Sequence, residues 1–176
     1  MSPSDEAAST LSDIPRAGRG RPGLVLRRIT LGLVALVVAV AATGLLGVHS
    51  TSVAATRGAW TLTVEYAGVA RAGLDVPLQI TVQHTGGFAD EIDLAINRDY
   101  LLLFEQQGFY PDASASTSLG DDVLLTFDAQ PEGDTFVVDF DAYVQPAAQQ
   151  GARGAVAVLD GTERLVQVEF RTALFP

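Results

Sequence analysis

From Ile29 to Val48 the chain holds only apolar residues, glycine and threonine, without one charge. As a helix rising about 1.5 Å per residue, this run covers roughly 30 Å, the thickness of a bilayer's hydrocarbon core. A transmembrane helix over 29–48 is therefore predicted, and the rest of the chain must be divided between two aqueous sides. Arg16, Arg19, Arg21, Arg27 and Arg28 precede the run, whereas the first basic residue after it is Arg57. Basic residues beside a span are retained on the cytoplasmic side, so the N-terminus is expected inside and the C-terminal part outside the cell. The alternative is a secretory signal cleaved after Ala55, with the remainder released. Such signals carry a shorter apolar region of about 7–15 residues, which favours a retained anchor.

Residues 1–28 are rich in Ser, Pro, Gly, Ala and Arg and cannot bury enough surface to offset chain entropy, so a disordered cytoplasmic tail is expected there. A linker is expected over 49–56. Eight residues reach at most about 28 Å, which would keep an outer domain of residues 57–176 near the bilayer. The chain has no cysteine, so that domain must fold without disulfides and no lipid-modified cysteine is available. Lysine is absent and Asn97 is the single asparagine, a bias expected of a GC-rich genome. Up to Ala55 five Arg face three acids, a net of +2; beyond it six Arg face 18 acids, a net of −12. Such an outer charge excludes nucleic acid and anionic lipid as ligands and favours cations or a basic partner.

In residues 57–176 apolar side chains recur with period two, as half-buried strands require. Trp60, Leu62, Val64 and Tyr66 alternate with Thr61, Thr63 and Glu65. Val76, Leu78, Ile80 and Val82 do the same, as do Ile92 to Ile96, Val123 to Phe127, Phe136 to Ala142 and Val166 to Phe170, with a shorter run at Val156 and Val158. Turn residues separate them at His84-Thr85-Gly86-Gly87, Gln130-Pro131-Glu132-Gly133 and Asp160-Gly161, the last a strong two-residue hairpin signal. Pro77 lacks a donor and marks an edge strand or a bulge. About seven strands at this spacing predict an all-β, immunoglobulin-like antiparallel β-sandwich preceded by one transmembrane helix. The stretch Ala72-Gly73-Leu74-Asp75-Val76-Pro77-Leu78-Gln79-Ile80-Thr81-Val82-Gln83-His84-Thr85-Gly86-Gly87 resembles the opening of bacterial adhesion-type immunoglobulin-like modules, in which a glycine-led loop feeds a strand ending in a glycine turn. The resemblance covers a small part of the chain. It implies a binding or spacer domain.

Signatures of chemistry are absent. His49 and His84 are the only histidines, and no cysteine accompanies them for zinc. There is no phosphate-binding glycine loop and no Gly-x-Ser-x-Gly elbow. Catalytic residues, metal ligands and cofactors are therefore not expected. The acids Asp121, Asp122, Asp128, Glu132, Asp134, Asp139 and Asp141 invite a calcium reading, but Asp139 and Asp141 alternate with the apolar stripe and belong to a solvated sheet face.

Two sets of residues are candidate partner-binding surfaces. Ala35, Ala39, Thr43 and Gly47 recur every four residues as a ridge of small side chains on which another transmembrane helix, or a second copy of this one, could pack closely. Tyr100, Leu102, Phe104, Phe109 and Tyr110 belong to an apolar segment too rich for one strand face, which is either a buried strand or crossover, or an exposed patch for a partner. The expected function is a nonenzymatic single-pass envelope protein whose acidic outer domain binds or supports a partner, most simply another membrane protein. The alternative is a membrane-tethered module for calcium or cell-wall glycan.

Overall fold

The structure, a computed structural model, describes residues 21–42, 49–129 and 133–175. The chain divides into two compact units, residues 1–46 and residues 47–176. In the first, helix α1 spans Arg21–Ala42, and its stretch Gly23–Ala42 is long and apolar enough to cross a membrane. The helix begins eight residues earlier than the apolar run, so 21–28 are helical and not part of a disordered tail. Pro22 suits a first helical turn, where its missing N–H has no intrahelical partner to lose. Residues 43–48, at the C-terminal end of the expected span, and residues 1–20 lie outside the described residues.

The second unit is mostly β. Strands β1 (His49–Arg57), β2 (Trp60–Arg71), β3 (Asp75–Val76), β4 (Leu78–His84) and β5 (Glu91–Asn97) lead into a one-turn helix α2 (Arg98–Leu101). Strands β6 (Phe104–Tyr110), β7 (Ala115–Leu119), β8 (Asp122–Asp128), β9 (Thr135–Val144), β10 (Ala152–Asp160) and β11 (Glu163–Phe175) follow. They form a mixed sheet in the order β3-β9-β4-β2-β11-β10-β5-β8-β7, with β1 on β2 and β6 on β9.

All the strands expected from alternation are present, and the differences have local causes. Residues 49–56 are not a linker: β1 pairs with β2 from His49↔Val69 to Arg57↔Trp60. Gly58, at φ 62°, takes the first central position of the two-residue hairpin that joins them. The β10–β11 turn is Gly161-Thr162, one residue later than expected, because Asp160 pairs with Glu163 and Gly161 (φ 60°) supplies the positive φ that Thr162 cannot adopt cheaply. Pro77 lies at an edge of the sheet, as its missing donor suggests, and not at a slip of register. Asp75↔Tyr143 and Gln79↔Asp139 share one register on β9, and Pro77 sits beyond the last β2–β4 pair, Tyr66↔Leu78, where its missing donor breaks no β2 ladder. The sheet is also not wholly antiparallel. Strand β11 outruns its pairing with β10, which ends at Ala152↔Thr172, and continues parallel to β2 from Ala173↔Val69 to Phe175↔Arg71.

The core is a relay of aromatic rings. Tyr66 meets Phe170 at 4.6 Å between centroids, Phe170 meets Tyr100 at 4.9 Å, Tyr100 meets Phe104 at 5.3 Å and Phe104 meets Phe140 at 5.4 Å. Phe109 continues it from Phe140 at 4.7 Å to Phe127 at 6.1 Å, and Phe136 and Phe88 carry it on to the stacked pair Trp60–His84. Phe127 of β8 thus touches rings of β6 and β9 from the opposite end of the strand order, so the sheet closes on one core. Where β11 changes partners, the Tyr100 hydroxyl and Thr172 Oγ1 are 3.0 Å apart, and Thr172 donates to the Ala67 carbonyl at 2.8 Å. Burial pushes the Tyr100 hydroxyl up to about 12, against which the Thr172 hydrogen bond acts only partly, so the group stays protonated in this junction.

Candidate functional site

The apolar segment of the sequence is divided by α2. Asn97 caps this turn, its side-chain oxygen accepting from the Tyr100 N–H at 3.0 Å. The turn drives Tyr100 into the core, and Phe104 at the start of β6 follows it; both are buried. These two residues are therefore withdrawn from any exposed partner surface, because their rings complete the aromatic relay. Phe109 is half-buried. Leu102 is 59 % exposed and Tyr110 79 % exposed, but they line different clefts. The segment is not one patch. On α1, Ala35 and Ala39 are exposed, four residues apart on one side of the helix. Thr43 and Gly47 of the same ridge lie outside the described residues.

Leu102 borders a cleft of about 530 Å³ with Asn97, Asp99, Gln145 and Arg153. Gln145 already donates to the Leu102 carbonyl at 2.9 Å. Tyr110 borders a cleft of about 470 Å³ with Phe88, Pro111, Asp112, Thr135, Phe136 and Val137. Strand β6 ends here and β9 begins. Among the described residues no aromatic ring packs on Tyr110, which leaves an aromatic side chain in water beside an apolar wall. Phe88 follows the glycine turn at Gly86 (φ 111°) and Gly87 (φ 81°). His84 Nδ1 donates to the Gly87 carbonyl, and the His84 ring stacks on Trp60 at 4.0 Å, so this histidine fixes the turn that presents Phe88.

The cleft opens onto the outward face of β2, β4, β9 and β6. Register places Glu65, Gln79, Asp139 and Tyr110 side by side, then Thr63, Thr81 and Val137, then Thr61, Gln83 and Thr135. Gln79 Nε2 donates to Asp139 at 2.7 Å. The last two rows carry no charge. Sequence reasoning named Tyr110 but missed Phe88, Thr135 and Val137. The signal for Val137 was present, since an apolar residue at an outward position of an alternating strand has no core to fill.

The acids do not converge. Asp122 pairs with Arg164 at 2.6 Å, Asp93 accepts from Thr126 at 2.7 Å and Asp139 accepts from Gln79. Among the described residues no group of three His, Asp or Glu side chains is placed to hold a metal ion; Glu132 is outside them. Around Tyr110 the arrangement offers stacking, apolar contact and hydrogen bonding, with the carboxylates of Asp112 and Asp139 alongside.

No protein-family model and no curated protein matches the chain. Among solved structures, the Pseudomonas fluorescens alkylpurine DNA glycosylase AlkC, bound to DNA containing an abasic site analog, is similar at 20 % identity with a TM-score of 0.31. The match covers 60 % of this chain and 28 % of the glycosylase chain, and at that TM-score it carries no argument about fold or function.

Proposed function

We propose that this chain is a nonenzymatic, single-pass envelope protein with a cytoplasmic N-terminus, whose acidic outer β unit is an immunoglobulin-like binding module. The observation that supports a retained anchor is β1. A signal cleavage after Ala55 would cut inside this strand, between the pairs Ala55↔Leu62 and Thr56↔Thr61, and strip most of β1 from the sheet. The sandwich reading draws support from the seven alternating strands and from Phe127 bridging β8 to β6 and β9. The adhesion-type resemblance draws its support from β3, β4 and the glycine turn after His84. The cleft beside Tyr110 is where the outer unit binds, and the ridge through Ala35 and Ala39 is where the helix meets a membrane protein or a second copy. The mechanism is docking without turnover. The uncharged rows that adjoin the cleft favour, as a second reading, a tethered module for cell-wall glycan; calcium lacks a converging ligand set among the described residues.

Topology tests the proposal. The chain has no cysteine, so Ser118→Cys on exposed β7 and Ser4→Cys in the N-terminal tail give single labelling sites. A membrane-impermeant maleimide on intact cells is expected to label the first, with the chain at full-length mass in the membrane fraction, and to reach the second only after permeabilisation. The opposite labelling, or a soluble product shortened near Ala55, would refute the anchored outer module.

A further inference from the structure

Within a unit carrying 18 acids, the outward face beside the cleft is unusual in what it leaves out. Thr63 and Thr81 lie in register with Val137, and Gln83 with Thr135, and neither row holds an acid or an arginine. Hydroxyls and amides there can both donate and accept. The adjacent row, Glu65, Gln79 and Asp139, ends at Tyr110, whose ring is 79 % exposed and lines the cleft with Phe88, Asp112 and Phe136. A solvated sheet face needs polar residues, but it does not need an aromatic ring in water or Val137 facing outward.

We propose that this face and the Tyr110 ring together bind a neutral polysaccharide, a ligand class that rests on the binding-module reading above. A sugar ring has an apolar C–H face, which Tyr110 can cover, and a rim of hydroxyls, which the Thr and Gln rows can satisfy. The ligand is neutral because the surface has no cation to hold a polyanion, and the net charge of −12 beyond Ala55 repels one. An extended polymer matches the geometry, since the rows run across successive strands at about 4.8 Å intervals and continue into the cleft.

Affinity electrophoresis of the full chain in detergent, through gels containing mannan, arabinogalactan or dextran, tests this, with heparin as the polyanion. Retardation by at least one neutral polymer and none by heparin is expected. Tyr110→Ala should weaken it about tenfold while Tyr110→Phe retains it, as loss of one stacked ring predicts. Tyr110 is exposed, so both variants should keep the wild-type unfolding temperature. No retardation by any of the three polymers, or equal retardation of Tyr110→Ala, would overturn the proposal. If the polymers fail while Tyr110→Ala still releases a protein held by the wild-type chain in native membranes, the ligand class is wrong and the binding module stands. If Tyr110→Ala changes neither, both readings fall.

Discussion

Gly151→Ala is expected to unfold the outer unit. A Cβ at this position would overlap the Thr172 carbonyl oxygen and lie 2.9 Å from the Ala173 Cα. Both obstacles are backbone, so no side chain can rotate away. They also sit where β11 leaves β10 for β2, next to the hydroxyl junction of Tyr100 and Thr172. Displacing that strand costs on the order of 3–5 kcal/mol, comparable to the whole stability of many domains. Gly108→Ala is the control: its Cβ would stand 3.6 Å from the Asp141 Cβ, an ordinary contact, and its φ is not in the left-handed region. Trp60 is the single tryptophan and stacks on His84, so its fluorescence reports urea unfolding of both variants. A Gly151→Ala midpoint equal to that of Gly108→Ala would show that the β10–β11 crossing is not the tight point of the fold.

Phe127→Ala is the second large effect. Phe127 is fully buried, and its ring joins Phe109 at 6.1 Å to Phe136 at 5.7 Å, linking β8 to β6 and β9. Its removal opens a cavity between backbones that cannot collapse freely, at a cost of about 3–5 kcal/mol. Phe127→Leu refills most of the volume and should recover more than half of that loss. The same urea titration checks both. A loss below about 1 kcal/mol for Phe127→Ala would mean that the sheet does not close on this ring.

How far the sequence reveals this molecule depends on which strands have a face to bury. Trp60 to Tyr66, Leu78 to Val82 and Phe136 to Ala142 announce themselves because every second residue enters the core. Strands β1 and β7 do not: His49–Arg57 is mostly exposed, with only Val53 and Ala55 reaching the core, and Ala115–Leu119 is wholly exposed, so backbone pairing does most of the holding and leaves little periodic trace. For β1 a local signal existed in Gly58-Ala59, a two-residue turn directly before Trp60. Residues 100–110 misled as a block because composition cannot show where a chain turns. One capped helical turn sends Tyr100 and Phe104 inward, while strand alternation later sends Tyr110 outward. The cleft is legible only in part for the same reason: Phe88, Tyr110 and Val137 are distant in sequence, and they are brought together by the Gly86-Gly87 turn and by the pairing of β6 with β9.

The measurement that bears most directly on docking as this protein's role is purification of the full chain from its native membrane in mild detergent, with mass spectrometry of what accompanies it. Ala39→Leu with Thr43→Leu fills the small-residue ridge, and Tyr110→Ala removes the exposed ring. A stoichiometric companion, or a defined oligomer of the chain, is expected and is lost when the ridge is filled, and envelope material is lost with Tyr110. A wild-type chain that emerges alone, indistinguishable in mass and company from both variants, would contradict the docking role.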